Sequence, residues 1–426
     1  MIIKRSLTRH IQEHLTNPEI TMIIGPRQAG KTTLMELIRD DLKLKGEKTL
    51  FLNLDLESDR PFFATQDKLL QRITYEIGKE RGFIFIDEIQ RKENAGLFLK
   101  GLYDMKLPYK FVVSGSGSVE LKEKIHESLP GRKRLFELPT LSFGEFVNFK
   151  RGETSFSDDN HFNELATFFD LYKEKSLEYL EEYLKFGGYP KVVLAPTIDE
   201  KQAAIADIYQ SFLEKDISIL LNIQKTDSLT SLARILASQI GNLVNVAELS
   251  NTLGISVQTV KNYLWYLEKT YIIRKVRPYF TNVRKEITKA PTYYFEDLGL
   301  RNYASNQFGN ATSMPGGFLF ENFVYNNLKN SLNLTTTTIH FWRTKDKAEV
   351  DLILNTGSTV IPIEVKYSSL KTREISRSFR SFLNRYKPSK AYIVHLGLNM
   401  EEIFEKSKIY FIPFFNTQVI TNRQDM

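Results

Sequence analysis

The sequence predicts an α/β protein whose first domain is a parallel sheet covered by helices on both faces. Two observations predict this fold class. Short, almost wholly apolar runs, such as residues 20–24 and 83–86, are typical of strands that are buried on both faces. These runs alternate with longer segments in which apolar residues recur at helical spacing, and strands that alternate with helices form parallel sheets.

The other elements of this domain follow in chain order. A glycine-rich loop connects the first strand to a helix that begins near Thr33. The predicted elements are a helix at 33–44, a strand at 49–54, a helix at 66–80, a strand at 83–87, a helix at 94–105 and a strand at 109–114. The alternation is that of a sheet in which each strand is followed by a covering helix.

The length of 426 residues is sufficient for about three domains of ~100–200 residues. We expect a sheet domain at 1–155, an acidic, lid-like helical segment at 156–230, a segment of short helices and strands at 231–310, and a second α/β domain at 311–426. These segments carry net charges of +4, −7, +5 and +5, which sum to the +7 of the whole chain. The two basic segments indicate an acidic partner for the C-terminal half.

Composition excludes several classes of protein. The chain has no cysteine, which excludes disulfide scaffolds and thiolate chemistry and favours a reducing compartment. No apolar run approaches the roughly 18 residues that span a bilayer, and the N-terminus lacks the apolar core of a secretory signal. We therefore expect a cytoplasmic protein with no membrane partner.

The loop after the first strand fits the phosphate-binding pattern G-x-x-x-x-G-K-[ST]. Its backbone N–H groups and the N-terminus of the next helix would surround phosphates with positive partial charge. Lys31 would reach the β- and γ-phosphates of ATP, and the hydroxyl of Thr32 would bind Mg²⁺. The residues predicted to bind the nucleotide are Gly25, Pro26, Arg27, Gln28, Ala29, Gly30, Lys31, Thr32 and Thr33.

The third predicted strand ends in two consecutive carboxylates, Asp87 and Glu88. Ligands of parallel sheets bind at the carboxyl ends of the strands, so these acids should face the phosphate loop. We expect Asp87 to hold Mg²⁺ and Glu88 to orient or deprotonate the attacking water. A hydroxyl at the tip of the strand at 109–114 would contact that water or the γ-phosphate. Ser114 and Ser116 are the candidates, and a plain turn is the alternative.

Four segments together resemble a bacterial and archaeal group of AAA-type ATPases that carry a C-terminal domain of unknown function. These segments are GPRQAGKT, FIFIDEIQ, VVSGSGS and PGRKRLFELPTLSFGEF, and the resemblance extends over nearly the whole chain, including GGYP at 187–190. It implies a P-loop ATPase core in the segment 1–155. Such ATPases often complete their site with an arginine from a neighbouring subunit, and Arg132 matches the recurrent Gly-Arg of the group.

An arginine supplied in this way would neutralise charge in the transition state and would imply a homo-oligomer. The run Arg132, Lys133 and Arg134 also fits a solvated basic surface, and both interpretations stay open at this point.

The segment 231–310 contains a pattern typical of a winged helix-turn-helix. Residues 246–268 predict two helices joined by a tight turn, with Ser256 as the N-cap of the second. A basic strand within 270–279 follows, and residues 292–295 can pair with it as the return strand. One interpretation is DNA contact by the second helix, with the basic wing on phosphates. The alternative is a winged helix that packs against protein.

The segment 311–426 carries a suggestive set of charged residues. Asp351 lies in a predicted strand, and Glu364 and Lys366 share one face of the next strand. Two acids and a lysine on adjacent strands suit a metal-dependent phosphodiesterase. Asp351 and Glu364 would bind Mg²⁺, and Lys366 would position water or stabilise developing charge. Glu321, on the helix predicted upstream, is a further acid for this site.

The order of elements in this segment resembles the PD-(D/E)XK nuclease fold, and Asp351, Glu364 and Lys366 match its signature one for one. The proline expected before the first acid is absent, because Val350 stands there. The resemblance implies nuclease activity. The alternative is that the fold persists with a Lys–Glu pair and without cleavage.

Two functional hypotheses follow. In the first, the protein is an AAA-type ATPase that hydrolyses ATP with Mg²⁺ and couples the cycle to DNA binding or processing by the nuclease-like domain. In the second, it is a nucleotide-gated switch or scaffold that binds a protein or DNA partner without cleavage.

Overall fold

The computed structural model describes residues 3–116, 129–152, 161–212, 227–308, 316–332, 337–397 and 399–421. Its first part is built on five parallel strands. These are β1 (Ile20–Gly25), β2 (Thr49–Asn53), β3 (Gly82–Asp87), β4 (Tyr109–Ser116) and β5 (Lys133–Glu137). Their order in the sheet is β2-β3-β4-β1-β5. The central strands β1 and β3 are buried along their whole length, as their continuous apolar runs predict.

Helices cover both faces of this sheet. They are α1 (Leu7–His14), α2 (Lys31–Leu44), α3 (Gln66–Ile77) and α4 (Ala95–Asp104), with short 3₁₀ turns at Arg60–Phe63 and Ile89–Arg91. Alternate residues of β3 serve the two faces, since Phe85 packs with α1 and α2 whereas Ile86 packs with α3 and α4. The strand β5 is absent from the sequence-based predictions, because its apolar residues are too few for a buried run and it lies at the sheet edge.

A run of helices follows. Its members are α5 (Phe143–Lys150), α6 (His161–Leu171), α7 (Lys173–Phe186), α8 (Pro190–Leu194), α9 (Ile198–Ser211) and α10 (Asp227–Ser238). This helical region agrees with the pattern predicted for 156–230, although its first helix lies before that segment. The start of α5 is fixed by a capping box, in which Ser142 accepts from the N–H of Glu145 and Glu145 accepts from the N–H of Ser142.

The next elements are short. They are α11 (Val246–Leu253), α12 (Val257–Lys269), β6 (Ile273–Pro278), α13 (Val283–Thr288), β7 (Thr292–Phe295) and α14 (Leu298–Ala304). Gly254 ends α11 in the left-handed region at φ 63°, and the Ser256 side chain caps α12 by accepting from the N–H of Thr259. The strands β6 and β7 pair antiparallel. The turn chemistry read from the sequence therefore accounts for this local structure.

The last part is a mixed α/β arrangement. It contains α15 (Gly316–Ser331), β8 (Thr338–Arg343), β9 (Glu349–Asn355), β10 (Val360–Val365), α16 (Arg377–Tyr386), β11 (Lys390–His395), β12 (Met400–Phe404) and β13 (Ser407–Pro413), followed by a 3₁₀ segment at Phe414–Thr421. The sheet has eight strands in the order β12-β13-β11-β10-β9-β8-β6-β7. The hairpin β6–β7 thus joins this sheet, so the sheet runs across the division expected at 310/311.

An aromatic core ties the middle helices to the C-terminal sheet. Phe143 of α5 contacts the rings of Tyr183 and Phe323, and it also packs near Phe414 at the end of the chain. The buried hydroxyl of Tyr183 donates to the carbonyl oxygen of Leu141 at 2.6 Å. The middle helices therefore pack onto the C-terminal sheet through α15. Among the helices in the described ranges, none combines the length and apolarity required to cross a membrane.

Candidate functional sites

The phosphate loop follows β1, at the point where the sheet order reverses between β4 and β5, a usual position for ligands of open α/β sheets. Its two glycines are sterically required. A Cβ on Gly25 would lie 2.1 Å from the carbonyl oxygen of Leu138, and Gly30 adopts φ 94° at the N-cap of α2. The buried Lys31 opens α2, and its ammonium donates to the carbonyl oxygens of Gly25 at 3.1 Å and Pro26 at 2.8 Å. The predicted lysine thus lies within the loop.

A buried arginine outside the motif contacts the backbone of the phosphate loop. Arg5 donates to the carbonyl oxygen of Ala29 at 2.8 Å and pairs with Glu145 at 3.1 Å. The same carboxylate accepts from the N–H of Ser6 at 2.7 Å. Sequence reasoning missed Arg5, because its partners lie 24 and 140 positions away and no local pattern connects them.

Hydroxyls surround the first carboxylate of β3. Thr32 donates to Oδ2 of Asp87 at 2.7 Å, and Ser114 donates to Oδ1 of Asp87. The backbone N–H of Glu88 also donates to Oδ1, at 3.1 Å. The structure therefore brings Thr32 and Asp87 together, as the motif predicts. Carboxylate and hydroxyl oxygens are hard ligands that suit Mg²⁺, so the residues present fit this ion.

Glu88 lies next to this group in an unusual backbone conformation. Its φ of 58° is in the left-handed region, and Gln90 donates to its carboxylate. Burial raises the pKa of Glu88, and the neighbouring charge of Asp87 raises it further, whereas Lys31 acts in the opposite direction. A carboxylate with a raised pKa is a better proton acceptor near neutral pH, which is the property that a general base requires.

Two other predicted residues are less directly connected to the loop. β4 ends at Ser116, which pairs with Gly25 in the sheet, but the side chain of Ser116 lies outside the described part of the chain. The half-exposed Arg132 pairs with Asp104 at 2.7 Å. Its carbonyl oxygen accepts from the N–H of Ile20 at 2.9 Å, at the start of β1. Arg132 therefore lies at the opposite sheet edge from the loop, roughly 20 Å away along a six-residue strand.

The GGYP segment packs against the phosphate loop. A Cβ on Gly30 would lie 3.8 Å from Cγ of Pro190, and the N–H of Gly188 donates to Asp297 at 2.8 Å. Asp297 also caps α14 by accepting from the N–H of Leu300 at 3.1 Å. Burial raises the pKa of Asp297 to about 6. The loop is thus connected through this segment to the part of the chain that follows β7.

The predicted C-terminal acids come together from three elements. Asp351 lies on β9, Glu364 on the adjacent strand β10, and Glu321 on α15. The N–H of Val365 donates to Asp351 at 2.7 Å. Burial raises the pKa of Asp351 to about 7, and the charge of Glu364 contributes to the rise. Burial also raises the pKa of Glu321 well above its usual value, with Asp351 as the next cause.

Lys366 neutralises one of these acids. Its ammonium lies 2.7 Å from Oε1 of Glu364, whose other oxygen is buried without a hydrogen-bond partner. The orphaned oxygen of Glu364 and the nearby Asp351 fit a hard cation, since Mg²⁺ is often held by one or two carboxylates and water. Within the residues that the structure describes, no group of three or more His, Cys, Asp or Glu side chains has the spacing of a metal site.

The basic strand of the expected wing is only partly available to a partner. Lys275 and Arg277 of β6 are exposed, but Arg274 pairs with Glu296 at 2.6 Å and with Glu137 at 3.1 Å. Lys329 of α15 pairs with the same two acids, at 2.6 and 3.3 Å. This ion-pair group, Glu137, Arg274, Glu296 and Lys329, joins the end of β5 to the C-terminal sheet. The charge of Arg274, one of the basic residues of the expected wing, is therefore already paired with two acids.

Comparison with known families separates the chain into three parts. Residues 17–147 match the model of an AAA domain. Residues 177–311 and 316–415 match two different domains of unknown function, DUF8612 and DUF4143. The chain is also similar to an uncharacterized protein of Mycobacterium tuberculosis, with 27% identity over 402 residues that cover 93% of this chain and 81% of the relative.

An uncharacterized protein of Methanocaldococcus jannaschii is similar over 409 residues, with 26% identity and coverage of 94% of this chain and 86% of the relative. Among solved structures, the replication initiator DnaA bound to AMPPCP and single-stranded DNA covers 63% of this chain and 90% of its own, with 15% identity and a TM-score of 0.26. A score this low means loose overlap of the two backbones, and nothing about the ligands of this chain follows from it.

The family match and the geometry agree on the first domain. The predicted parallel-sheet P-loop domain and the helical region are confirmed, whereas the winged helix and the nuclease-like domain stay predictions. Residues 17–147 match an AAA-type ATPase domain, and this part of the chain contains the P-loop pattern.

Proposed function

We propose that the chain is a Mg²⁺-dependent ATPase that couples its nucleotide cycle to the binding and processing of DNA by its C-terminal half. The observation that carries the ATPase part is the oxygen group formed by Thr32, Asp87 and Ser114 beside the loop that holds Lys31. P-loop ATPases use a lysine and a metal ion to neutralise charge on the transferred phosphate, and a further side chain to orient the attacking water. The structure brings side chains suited to these three tasks close together.

The residues divide the chemistry as follows. Lys31 would exchange its loop carbonyl partners for phosphate oxygens, and Thr32 with Asp87 would hold Mg²⁺. The ion would neutralise charge on the phosphates when bound. Glu88 would accept the proton of the attacking water, and Gln90 would fix the direction of its carboxylate.

The substitution Glu88→Gln tests this assignment. It should leave ATP affinity within a few-fold of wild type and lower turnover by roughly 10²–10⁴, because the base is lost while the shape is kept. Glu93→Gln is the matched control, since Glu93 is exposed five residues further along and should not affect turnover. Unchanged turnover in Glu88→Gln would contradict the role of Glu88.

Arg132 is proposed to act on the nucleotide of a neighbouring subunit, because it lies at the far edge of its own sheet. A mixing experiment tests this. The variants Lys31→Ala and Arg132→Ala should each be inactive, and their mixture should regain part of the turnover if one subunit supplies the arginine to the other. Asp104→Ala removes only the partner of Arg132 and should stay active. Wild-type turnover in pure Arg132→Ala would exclude the role.

DNA processing is proposed for the site of Asp351, Glu364 and Lys366. The argument rests on the meeting of two acids and a lysine on adjacent strands and on the unpartnered oxygen of Glu364. Asp351→Ala and Lys366→Ala should abolish Mg²⁺- or Mn²⁺-dependent cleavage of linear, branched or single-stranded DNA. Glu349→Gln, an exposed change two residues from Asp351, should retain cleavage.

The second candidate is a nucleotide-gated switch or scaffold without cleavage. It is favoured by the 2.7 Å pair of Lys366 with Glu364 and by the backbone hydrogen bond to Asp351, which satisfy part of the charge without a metal. In this case purified protein with ATP and either metal would nick none of the DNA forms, while ATP would still change its affinity for DNA or a protein partner.

A further inference from the structure

One face of α16 is basic and exposed. Its residues recur at positions i, i+3, i+4, i+7 and i+8, so they share one side of the helix. They form the described lining of an open groove of about 530 Å³ and are Arg377, Arg380, Ser381, Asn384 and Arg385. The opposite side, with Phe379, Phe382 and Leu383, is buried against the sheet.

The charge of this face is not neutralised by the helix itself. α16 contains no acidic residue. Arg377, Arg380 and Arg385 make no ion pair within the described ranges of the chain, and Arg380 and Arg385 lie near the rings of Phe404 and Tyr386 at 5.9 and 5.4 Å. Like charges at this spacing repel, and Arg377 lies at the positive end of the helix dipole. A bound polyanion would remove both penalties.

We propose that this basic face binds the sugar-phosphate backbone of a nucleic acid beside the site of Asp351 and Glu364, an inference that rests on the proposed function. α16 packs against β9 and β10, the strands that carry these two acids. Arg377 and Arg385 are eight residues apart, which is about 12 Å along the helix. This length corresponds to roughly three or four nucleotides of one strand. Arginine forks match phosphate oxygens, and Ser and Asn side chains are common additional donors.

Other polyanionic partners fit the face less well. A helix that lies on a membrane needs an exposed apolar side, but the apolar side of α16 is buried and the helix exposes no large hydrophobic residue. Protein interfaces usually contain aromatic or aliphatic anchors at their centre, which the exposed face also lacks. Charge recognition without apolar contact is the usual mode of phosphate-backbone binding.

The test uses the full-length chain and a fluorescein-labelled duplex of mixed sequence, with anisotropy measured over a salt series. The variant R377Q/R380Q/R385Q should bind at least about tenfold more weakly at low salt. The slope of log K against log salt should become shallower by about 2–3, because three phosphate contacts are lost. The control K43Q/K68Q/K79Q removes the same charge from exposed sites of the first domain and should keep the wild-type slope.

The charge-retaining variant R377K/R380K/R385K guards against a folding defect and should keep a slope close to wild type. A wild-type slope in the glutamine variant, or an equal loss in the lysine-to-glutamine control, overturns the proposal. Loss of binding to phosphatidylserine vesicles without loss of duplex binding also overturns it and assigns the face to a membrane.

The two levels of the proposal fail differently. ATP turnover without DNA reports on the nucleotide site alone and should be unchanged in the glutamine variant. If the wild-type chain binds the duplex and the glutamine variant binds it equally well, the proposed role of α16 is wrong, but DNA binding by the chain is supported. If the wild-type chain binds no duplex, both DNA claims fail, and the ATPase proposal is unaffected.

Discussion

The central carboxylates of the nucleotide site and of the C-terminal acid site have opposite electrostatic surroundings. Asp87 accepts from the hydroxyls of Thr32 and Ser114 and from a backbone N–H, next to a loop that holds a lysine. Asp351 accepts one backbone N–H and lies near a second acid, and burial raises its pKa to about 7. The first site surrounds its carboxylate with hydrogen-bond donors. The second concentrates negative charge that a proton or a cation must balance.

The two sites are also physically connected. In the first sheet, Glu137 of β5 stands opposite Ile24, the residue before the phosphate loop. Glu137 accepts from Arg274 and Lys329, which also pair with Glu296. Burial alone would raise the pKa of Glu296, but Lys329 and Arg274 outweigh it and hold the pKa at about 2. These ion pairs therefore link β5 to α15, the helix that carries Glu321.

The largest effect is expected for the lysine of the phosphate loop. Lys31→Ala should lower ATP turnover by at least ~10²-fold, because a preorganised charge at the developing phosphate charge is removed. It should also abolish the rise in melting temperature that ATP produces in wild type. Lys45→Ala, an exposed change at the end of the same helix, is the control. Turnover within threefold of wild type would show that the nucleotide site works differently.

The connection between the sites should contribute strongly to stability. Within the described residues, Glu296→Gln leaves Arg274 and Lys329 with Glu137 as their one shared acid, and loss of one partner from a mostly buried charge group costs about 3–5 kcal/mol. Urea unfolding should report a loss of this order. Asp207→Asn breaks an exposed pair with Lys191 and should cost less than about 1 kcal/mol. Equal losses in the two variants would contradict a special role for the ion-pair group.

The charge of the C-terminal site should appear as a pH dependence. Between about pH 4 and pH 7 the folded chain retains a proton on Asp351 that the unfolded chain has released, so the unfolding free energy falls as pH rises through this window. Asp351→Asn lacks this contribution. Its stability relative to wild type should therefore increase with pH, by at most about 1.4 kcal/mol per pH unit, and level off above pH 7.

Measurements in chelator and in Mg²⁺ extend this comparison. If Asp351 binds the ion, Mg²⁺ should stabilise wild type more at pH 8 than at pH 6, because the ligand must lose its proton first. If the stability difference between wild type and Asp351→Asn does not change from pH 4 to pH 8, Asp351 is not held in a charged cluster.

The smallest effect is expected for Glu349, at the exposed edge of the acid cluster around Asp351. The charge of Glu349 contributes weakly to the raised pKa of Asp351, because Glu349 is exposed and screened by salt. Glu349→Gln should move the pH window of the Asp351 effect downward by a fraction of a pH unit at low salt and not at high salt. An upward shift would contradict the arrangement of the acids.

The sequence predicted the nucleotide site more completely than the C-terminal site, for a physical reason. Gly25 to Thr32 form one continuous segment, and in this motif the backbone of the segment is the expected phosphate ligand, so the spacing of the residues alone defines the candidate site. Asp87 could be added because an acid at the end of a buried parallel strand must lie at the same sheet edge. Arg5 could not, since its contact with Ala29 depends on how α1 and α5 pack.

In the C-terminal half, sequence patterns identified the acids and Lys366 but not their electrostatic state. The alternating apolar and polar residues of β9 and β10 placed Asp351 and Glu364 on neighbouring strands. In the structure the two side chains are close enough for the charge of Glu364 to raise the pKa of Asp351. The sequence left a Lys366–Glu364 pair open as one alternative, because the two residues share a face of one strand, and the structure contains this pair. The hydrogen bond from Tyr294 to Glu321 and the burial that raises the pKa of Asp351 depend on packing between separate elements. Burial and partner identity are properties of several elements together, which local spacing does not encode.

By itself the sequence determined the elements that depend on local chemistry, which are the glycine loop, the buried strands and the helix cap at Ser256. The tertiary structure alone decided that β6 and β7 extend the C-terminal sheet, that Arg274 joins the two halves, and that Arg132 lies at the opposite end of β1 from the loop. Local structure is fixed by interactions between residues a few positions apart. The ion pairs that join the two halves depend on contacts between residues far apart in the sequence, such as Glu137 and Arg274, which are 137 positions apart.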